Sequence, residues 1–136
     1  MANNVIDKVA EFLEVEDCKV RKLENDGLVV WMELENISVE MVLFCDEEQR
    51  MATIYSICFP EIPQSKYDAI YKVLNEFNCM DMFNKYVLNT EDGQICVSTK
   101  IDIRDDDSIK QCYVALRYMA ECLQVAYPKV KEVIEK

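Results

Sequence analysis

The sequence predicts an α+β fold, an antiparallel β-sheet with helices packed mainly on one face, in the order α-β(3-4)-α-β(2)-α. Two observations carry this reading. Runs rich in apolar and β-branched residues are separated by the turn signals "NDG" and "EDG", and three further segments repeat apolar residues at helical spacing. The chain has 136 residues, 51% of them apolar, and no linker, repeat or low-complexity stretch divides it. It therefore forms a single α+β domain over residues 1–136, with one core.

The elements follow in order. Val5, Ile6, Val9, Phe12 and Leu13 place a first helix at Asn4 to about Glu14, capped by Asn3 or Asn4. "CKVRKL" is a short strand, and the turn Asn25 to Gly27 leads into "LVVWMELE" and "ISVEMVLFC". After "DEEQR" comes the strand "MATIYSICF", stopped by Pro60 and Pro63, which cannot donate to a sheet ladder. Ser65 and Asp68 form an S-x-x-D helix start. Tyr67, Ile70, Val73, Leu74 and Phe77 then face the sheet, and Asn75 and Asn78 mark the end of that helix. "MFNKYVLN" and "QICVSTKID" form a hairpin around Glu91 to Gly93. The last helix carries Ile109, Tyr113, Leu116, Ala120 and Leu123 on one face, and Pro128 should kink it or open a separate short helix.

Composition removes several functions. Lys and Arg number 15 against 26 Asp and Glu, a net charge of −11, which repels phosphate backbones and anionic lipid. Neither nucleic acid nor membrane is expected as a partner. No apolar run approaches the ~20 residues of a membrane span. The N-terminus lacks the basic and apolar regions of a signal peptide, so a cytoplasmic location is expected.

The seven cysteines contain no C-x-x-C pair and the chain has no histidine, so they read as reduced, buried thiols and no metal site is assigned. Gly27 and Gly93 both fall in hairpin turns, which leaves no glycine for a phosphate-binding loop. The usual Ser–His and Cys–His dyads are excluded as well. Asp102, Asp105, Asp106 and Asp107 lack the glycine and the distant glutamate of an EF-hand loop, and read as an acidic helix start. No catalytic residue and no cofactor is assigned, and the protein is expected not to be an enzyme.

Strand alternation points to a surface instead. One face collects Leu28, Val30, Met32 and Leu34 with Val39, Met41, Leu43 and Cys45, and with Met51, Thr53, Tyr55 and Ile57; it should lie under the helices. The other face carries Glu33 and Glu40 opposite each other, and an apolar set of Val29, Trp31, Val42, Phe44 and Ile54. A two-residue connection at Asn36 and Ile37 would pair Trp31 with Val42 and Val29 with Phe44. Either a helix or the short first strand curls over this set, or it is a surface for self-association or a partner.

The proline-containing "CFPEIPQSKYD", the helix ending "LNEFN" with Leu74, Asn75 and Asn78, the hairpin "FNKYVLNTEDGQICVSTKID" and a last helix running into "YPKV" resemble the YbjN family, from Val5 to about Val130. That family is described as proposed bacterial sensory transduction regulators, and its fold is similar to the class I chaperones of type III secretion. The resemblance implies a small acidic homodimer that binds another protein or peptide segment through exposed apolar grooves, with no catalytic residues to carry over. The leading expectation is a non-catalytic, chaperone-like or regulatory protein-binding module. The alternative is a small-molecule sensor or enzyme with a pocket between sheet and helices. The acidic composition also permits an inhibitory protein without selecting one.

Overall fold

A computed structural model describes residues 5–25, 27–46, 48, 50–103 and 107–136. The elements are α1 (Val5–Val15), β1 (Lys19–Lys22), β2 (Gly27–Glu33), β3 (Ser38–Asp46), β4 (Met51–Ser56), α2 (Tyr67–Met80), β5 (Lys85–Asn89), β6 (Gln94–Asp102) and α3 (Ser108–Glu135). The strands form one six-stranded sheet in the order β1-β2-β3-β4-β6-β5, antiparallel throughout. This is the α+β architecture expected from the sequence. Among the described residues, no helix is long and apolar enough to cross a membrane.

Alternation explains where the core sits. Leu28, Val30, Val39, Met41, Leu43, Ala52, Ile54, Ile95 and Val97 share one sheet face and are fully buried. Against them lie Val9 and Leu13 of α1, Ile70 and Leu74 of α2, and Leu116, Met119 and Leu123 of α3. Each of the Val, Leu, Ile and Met side chains among them contributes roughly 1.5–3 kcal/mol by leaving water. The proline joint closes the hairpin side of the core. Phe59 and Ile62 are buried, and the Ile62 N–H donates to the Gly93 carbonyl at 2.8 Å. Gly93 has φ +71, and a Cβ there would sit 2.9 Å from the Ile62 carbonyl oxygen. Glycine is therefore required at this tip.

The joint between α2 and β5 is built from polar groups. Asp81 accepts from the Phe83 and Asn84 N–H groups at 3.0 and 2.9 Å, and from Asn84 Nδ2 at 2.9 Å. The Tyr86 and Tyr118 hydroxyls each donate to it at 3.1 Å. One carboxylate thus ties the end of α2 to β5 and α3. Partial burial pushes its pKa up, but the hydrogen bonds outweigh burial and hold it below the ordinary carboxylate value. The buried Tyr86 is pushed up by burial and by the Asp81 charge. Asn78 adds a second device: its Nδ2 donates to the Tyr86 carbonyl at 2.9 Å, and its Oδ1 accepts the Tyr86 N–H at 2.8 Å. The side chain pairs with the outer edge of β5 as a neighbouring strand would.

Several details differ from the sequence expectation. The β2–β3 connection is four residues, Leu34 to Ile37, closed by Leu34 N–H donating to the Ile37 carbonyl at 2.8 Å. Trp31 therefore faces Glu40, Val29 faces Val42, and Glu33 faces Ser38. The slip is two residues, so β2 and β3 keep their expected faces. In β4 the phase is the reverse of that expected. Leu43 pairs with Ile54 and Phe44 with Thr53, which buries Ala52, Ile54 and Ser56 and turns Met51, Thr53 and Tyr55 outward. Ser56 is tolerated inside because its hydroxyl donates to the Glu40 carbonyl at 2.8 Å.

The helix boundaries also move. α2 begins at Tyr67 after a 3-10 turn over Gln64–Lys66, with no side-chain cap. Asn78 lies within the helix rather than in a left-handed end. α3 runs unbroken through Pro128 to Glu135, with no separate short helix. Leu123, Ala126 and Val130 are buried on both sides of the proline, and Tyr127 stacks on Phe59 with centroids 6.1 Å apart. This packing outweighs the ~3 kcal/mol cost of proline inside a helix. Gly27 is the first residue of β2 rather than a turn residue; Asn3, Asn4, Asp26, Asp105 and Asp106 lie outside the described residues. Of the cysteines only Cys112 is fully buried, with its thiol pushed up to about 12 by burial, and Cys79 is exposed.

Candidate protein-binding surface

Among the described residues, the second face of the sheet lies outside the core that the helices pack against. Its residues follow from the register: Lys19 and Arg21 on β1, Val29 and Trp31 on β2, Glu40, Val42 and Phe44 on β3, Thr53 and Tyr55 on β4, then Ser98 and Lys100 on β6. Directly paired residues project to the same side, so these side chains form one continuous surface.

The structure brings four of the five sequence-selected residues together here. Trp31, Val42 and Phe44 are half-buried, and Val29 is buried, with Arg21 and Val42 directly across from it. Ile54 is not part of the set. It is fully buried under the helices, because the β4 phase places it beside Leu43. Tyr55, 39% exposed, takes its place and meets Phe44 edge-on, with ring centroids 6.3 Å apart. The sequence missed Tyr55 because both parities of "MATIYSICF" carry apolar residues; only pairing with β3 separates them.

Local geometry explains the half-burial. Phe44 faces Gly27 across the β2–β3 pair. A Cβ on Gly27 would lie 2.7 Å from Phe44 Cε1, so the ring packs down onto bare backbone. Lys19 places its Nζ 5.5 Å from the centre of the Trp31 ring, a cation–π contact. The short first strand therefore flanks the aromatic patch without covering it. Burial pushes up the thiol of Cys96, which projects from β6 on this same side and faces Val87 of β5.

Charge is distributed unevenly over the molecule. On this face the strands carry Lys19, Arg21, Lys85 and Lys100 against Glu33, Glu40, Asp46 and Asp102, so four positive and four negative groups cancel, 4 − 4 = 0. The chain as a whole carries −11, so the excess negative charge lies on the helical side and the connections. The aromatic patch thus occupies the neutral side of an acidic molecule.

The two sheet edges also differ. On β5 the backbone of Tyr86 is taken up by Asn78. On β1, Lys19, Arg21 and Lys22 are exposed, and Lys22 is paired with Asp7 at 2.6 Å. The β1 edge borders Trp31 directly.

No protein-family model matches the chain, and no curated protein matches it in sequence. Solved structures do. The crystal structure of YbjN from E. coli, a proposed transcription regulator, superposes with a TM-score of 0.70 over 96% of this chain and 96% of that one, at 11% identity. A chain of the HopA1–SchA chaperone–effector complex matches with a TM-score of 0.53 over 87% and 86%, at 15% identity. A chain of the ExsC–ExsE complex matches with a TM-score of 0.57 over 90% and 87%, also at 15% identity. The fold is the one that the resemblance in the sequence implies.

Proposed function

We propose that this protein is a non-catalytic protein-binding module, chaperone-like or regulatory, which receives an extended segment of a partner protein on its bare sheet face. The observation that carries this reading is the Trp31, Val42, Phe44 and Tyr55 patch, left outside the core on the charge-balanced side of a −11 chain. Aromatic side chains in such a setting suit the anchor positions of an interface. The exposed β1 edge next to Trp31 gives the segment backbone groups to pair with, and the patch supplies its side-chain contacts. The likeness of fold to chains from chaperone–effector complexes supports the same reading. In this proposal the module works in the cytoplasm as a homodimer, without cofactor or metal.

The test is copurification from the native cell, with Trp31→Glu run beside the wild type. The expected result is a partner retained by the wild type and lost by Trp31→Glu, with the far-UV circular dichroism of the two proteins superimposable. Loss of folded structure in Trp31→Glu would make Trp31 part of the core and end the proposal. Light scattering should give a mass of twice the 15.9 kDa chain; a mass of one chain at micromolar concentration would remove the homodimer.

A further inference from the structure

The protein-binding reading leaves unused a cavity of about 600 Å³ between β6, α3 and the segment joining α2 to β5. Small-molecule sites fall in the range of roughly 300–1,000 Å³. Its walls are mostly apolar: Phe83, Ile101, Val114, Ala115 and Tyr118. Of its charged lining residues, Lys100 and Asp102 turn their side chains to the other face of the sheet, and Lys110 is offset by Asp107, so the mouth selects neither anion nor cation.

Two buried polar side chains line this cavity, and both present acceptors. Thr99 spends its hydroxyl hydrogen on the Phe83 carbonyl at 3.0 Å, which leaves its oxygen able only to accept. Asn84, 5% exposed, donates its Nδ2 to Asp81. A carboxylate accepts and does not donate, so this bond fixes which end of the amide is oxygen. Among the described residues, Asn84 Oδ1 is buried and receives no donor. Asp81 itself lines a different hollow, along the later turns of α3, and not this cavity. In the planar amide the unpaired oxygen is on the other branch from the Nδ2 that Asp81 holds. An acceptor left in this way is unfavourable until a donor reaches it. Phe83, the neighbour of Asn84 in the chain, lines the same cavity, is 67% exposed and lies edge-on against Tyr118 with centroids 5.5 Å apart.

We propose that this cavity binds an uncharged small molecule with an apolar ring or chain and one N–H or O–H donor. The donor bonds Asn84 Oδ1, and the apolar body lies against Ile101, Val114, Ala115 and Tyr118. This site is on the helical side of the sheet and does not depend on the partner surface.

Indole and benzofuran test this directly, since they share a shape and differ by an N–H against an ether oxygen. Each is titrated into the ¹⁵N-labelled full chain and followed by amide chemical shifts. Indole should move the amides of Phe83, Asn84, Ile101 and Val114, and should bind about tenfold or more tighter than benzofuran, as one bond to a buried acceptor implies. Val114→Trp fills the cavity from a position that is 54% exposed; it should abolish indole binding while leaving the melting temperature and partner copurification unchanged. Equal affinity for the two probes, no shifts, shifts elsewhere, or indole binding that survives in Val114→Trp would overturn the proposal. N-acetyl-tryptophanamide binding about tenfold tighter than indole would also overturn it, by assigning the cavity to a side chain of a protein partner.

Discussion

The α2–β5 joint and the bare sheet face lie on opposite sides of one sheet and solve opposite problems. At the joint, Asp81 takes five donors from the chain itself, and Asn78 completes the backbone of Tyr86. Those groups are spent on the fold. On the bare face, Trp31 meets Lys19 and faces Glu40, Phe44 packs on Gly27 and Tyr55, and Tyr55 faces Val42 and Ser98. The contrast separates residues that hold the molecule together from residues left over for something else. It also predicts how each region responds to change.

The largest effect should come from the joint. Asp81→Ala leaves the Tyr86 and Tyr118 hydroxyls and two backbone N–H groups without their acceptor, and should lower stability by about 2–4 kcal/mol in urea melts. A loss below ~0.5 kcal/mol would mean that water replaces the carboxylate without penalty. Gly93→Ala comes next. A positive φ and a 2.9 Å approach to the Ile62 carbonyl together should cost about 1–3 kcal/mol. If that variant is as stable as the wild type, the hairpin tip is not fixed against the proline joint.

Acid should expose the same node. The pKa of Asp81 is lower in the folded state than in the unfolded chain, so the folded state holds fewer protons at this site. Its stabilising contribution is complete above the ordinary carboxylate value near ~4 and is lost as pH falls through the folded value. Urea midpoints measured from about pH 6 to about pH 2 should therefore fall less steeply in Asp81→Asn than in the wild type. Parallel profiles would remove Asp81 from the account of acid stability.

The smallest stability change should be on the bare face. Trp31→Glu sets a second carboxylate opposite Glu40, yet should cost no more than about 1 kcal/mol, because like charges across exposed strands repel weakly. A loss of 3 kcal/mol or more would place Trp31 with the core.

Much of this arrangement was legible in the sequence, and the misses have local causes. The element order and the faces of β2 and β3 followed from alternation alone, because Leu28, Val30, Met41 and Leu43 contrast with Glu33 and Glu40. The phase of β4 did not follow, since Ile54, Tyr55 and Ile57 are all large and apolar, and the pairing that decides between them is non-local. Register failed by two residues because a connection closed by Leu34 and Ile37 has no glycine to announce its length. Asp81 gave no signal either. Its partners Tyr86 and Tyr118 come from separate elements, and only folding brings them to one carboxylate. Pro128 misled because its local cost is real and the packing of Ala126 and Val130 that offsets it is tertiary.

The single tryptophan allows the central claim to be read at one atom. With 5-fluorotryptophan incorporated, ¹⁹F NMR gives one resonance for Trp31. In the free protein that resonance should broaden readily with a soluble paramagnetic agent, and it should shift and become protected when the copurified partner segment is added. A resonance already protected in the free protein, or one that stays unmoved and equally accessible in the complex, would contradict the claim that the bare sheet face is where the partner binds.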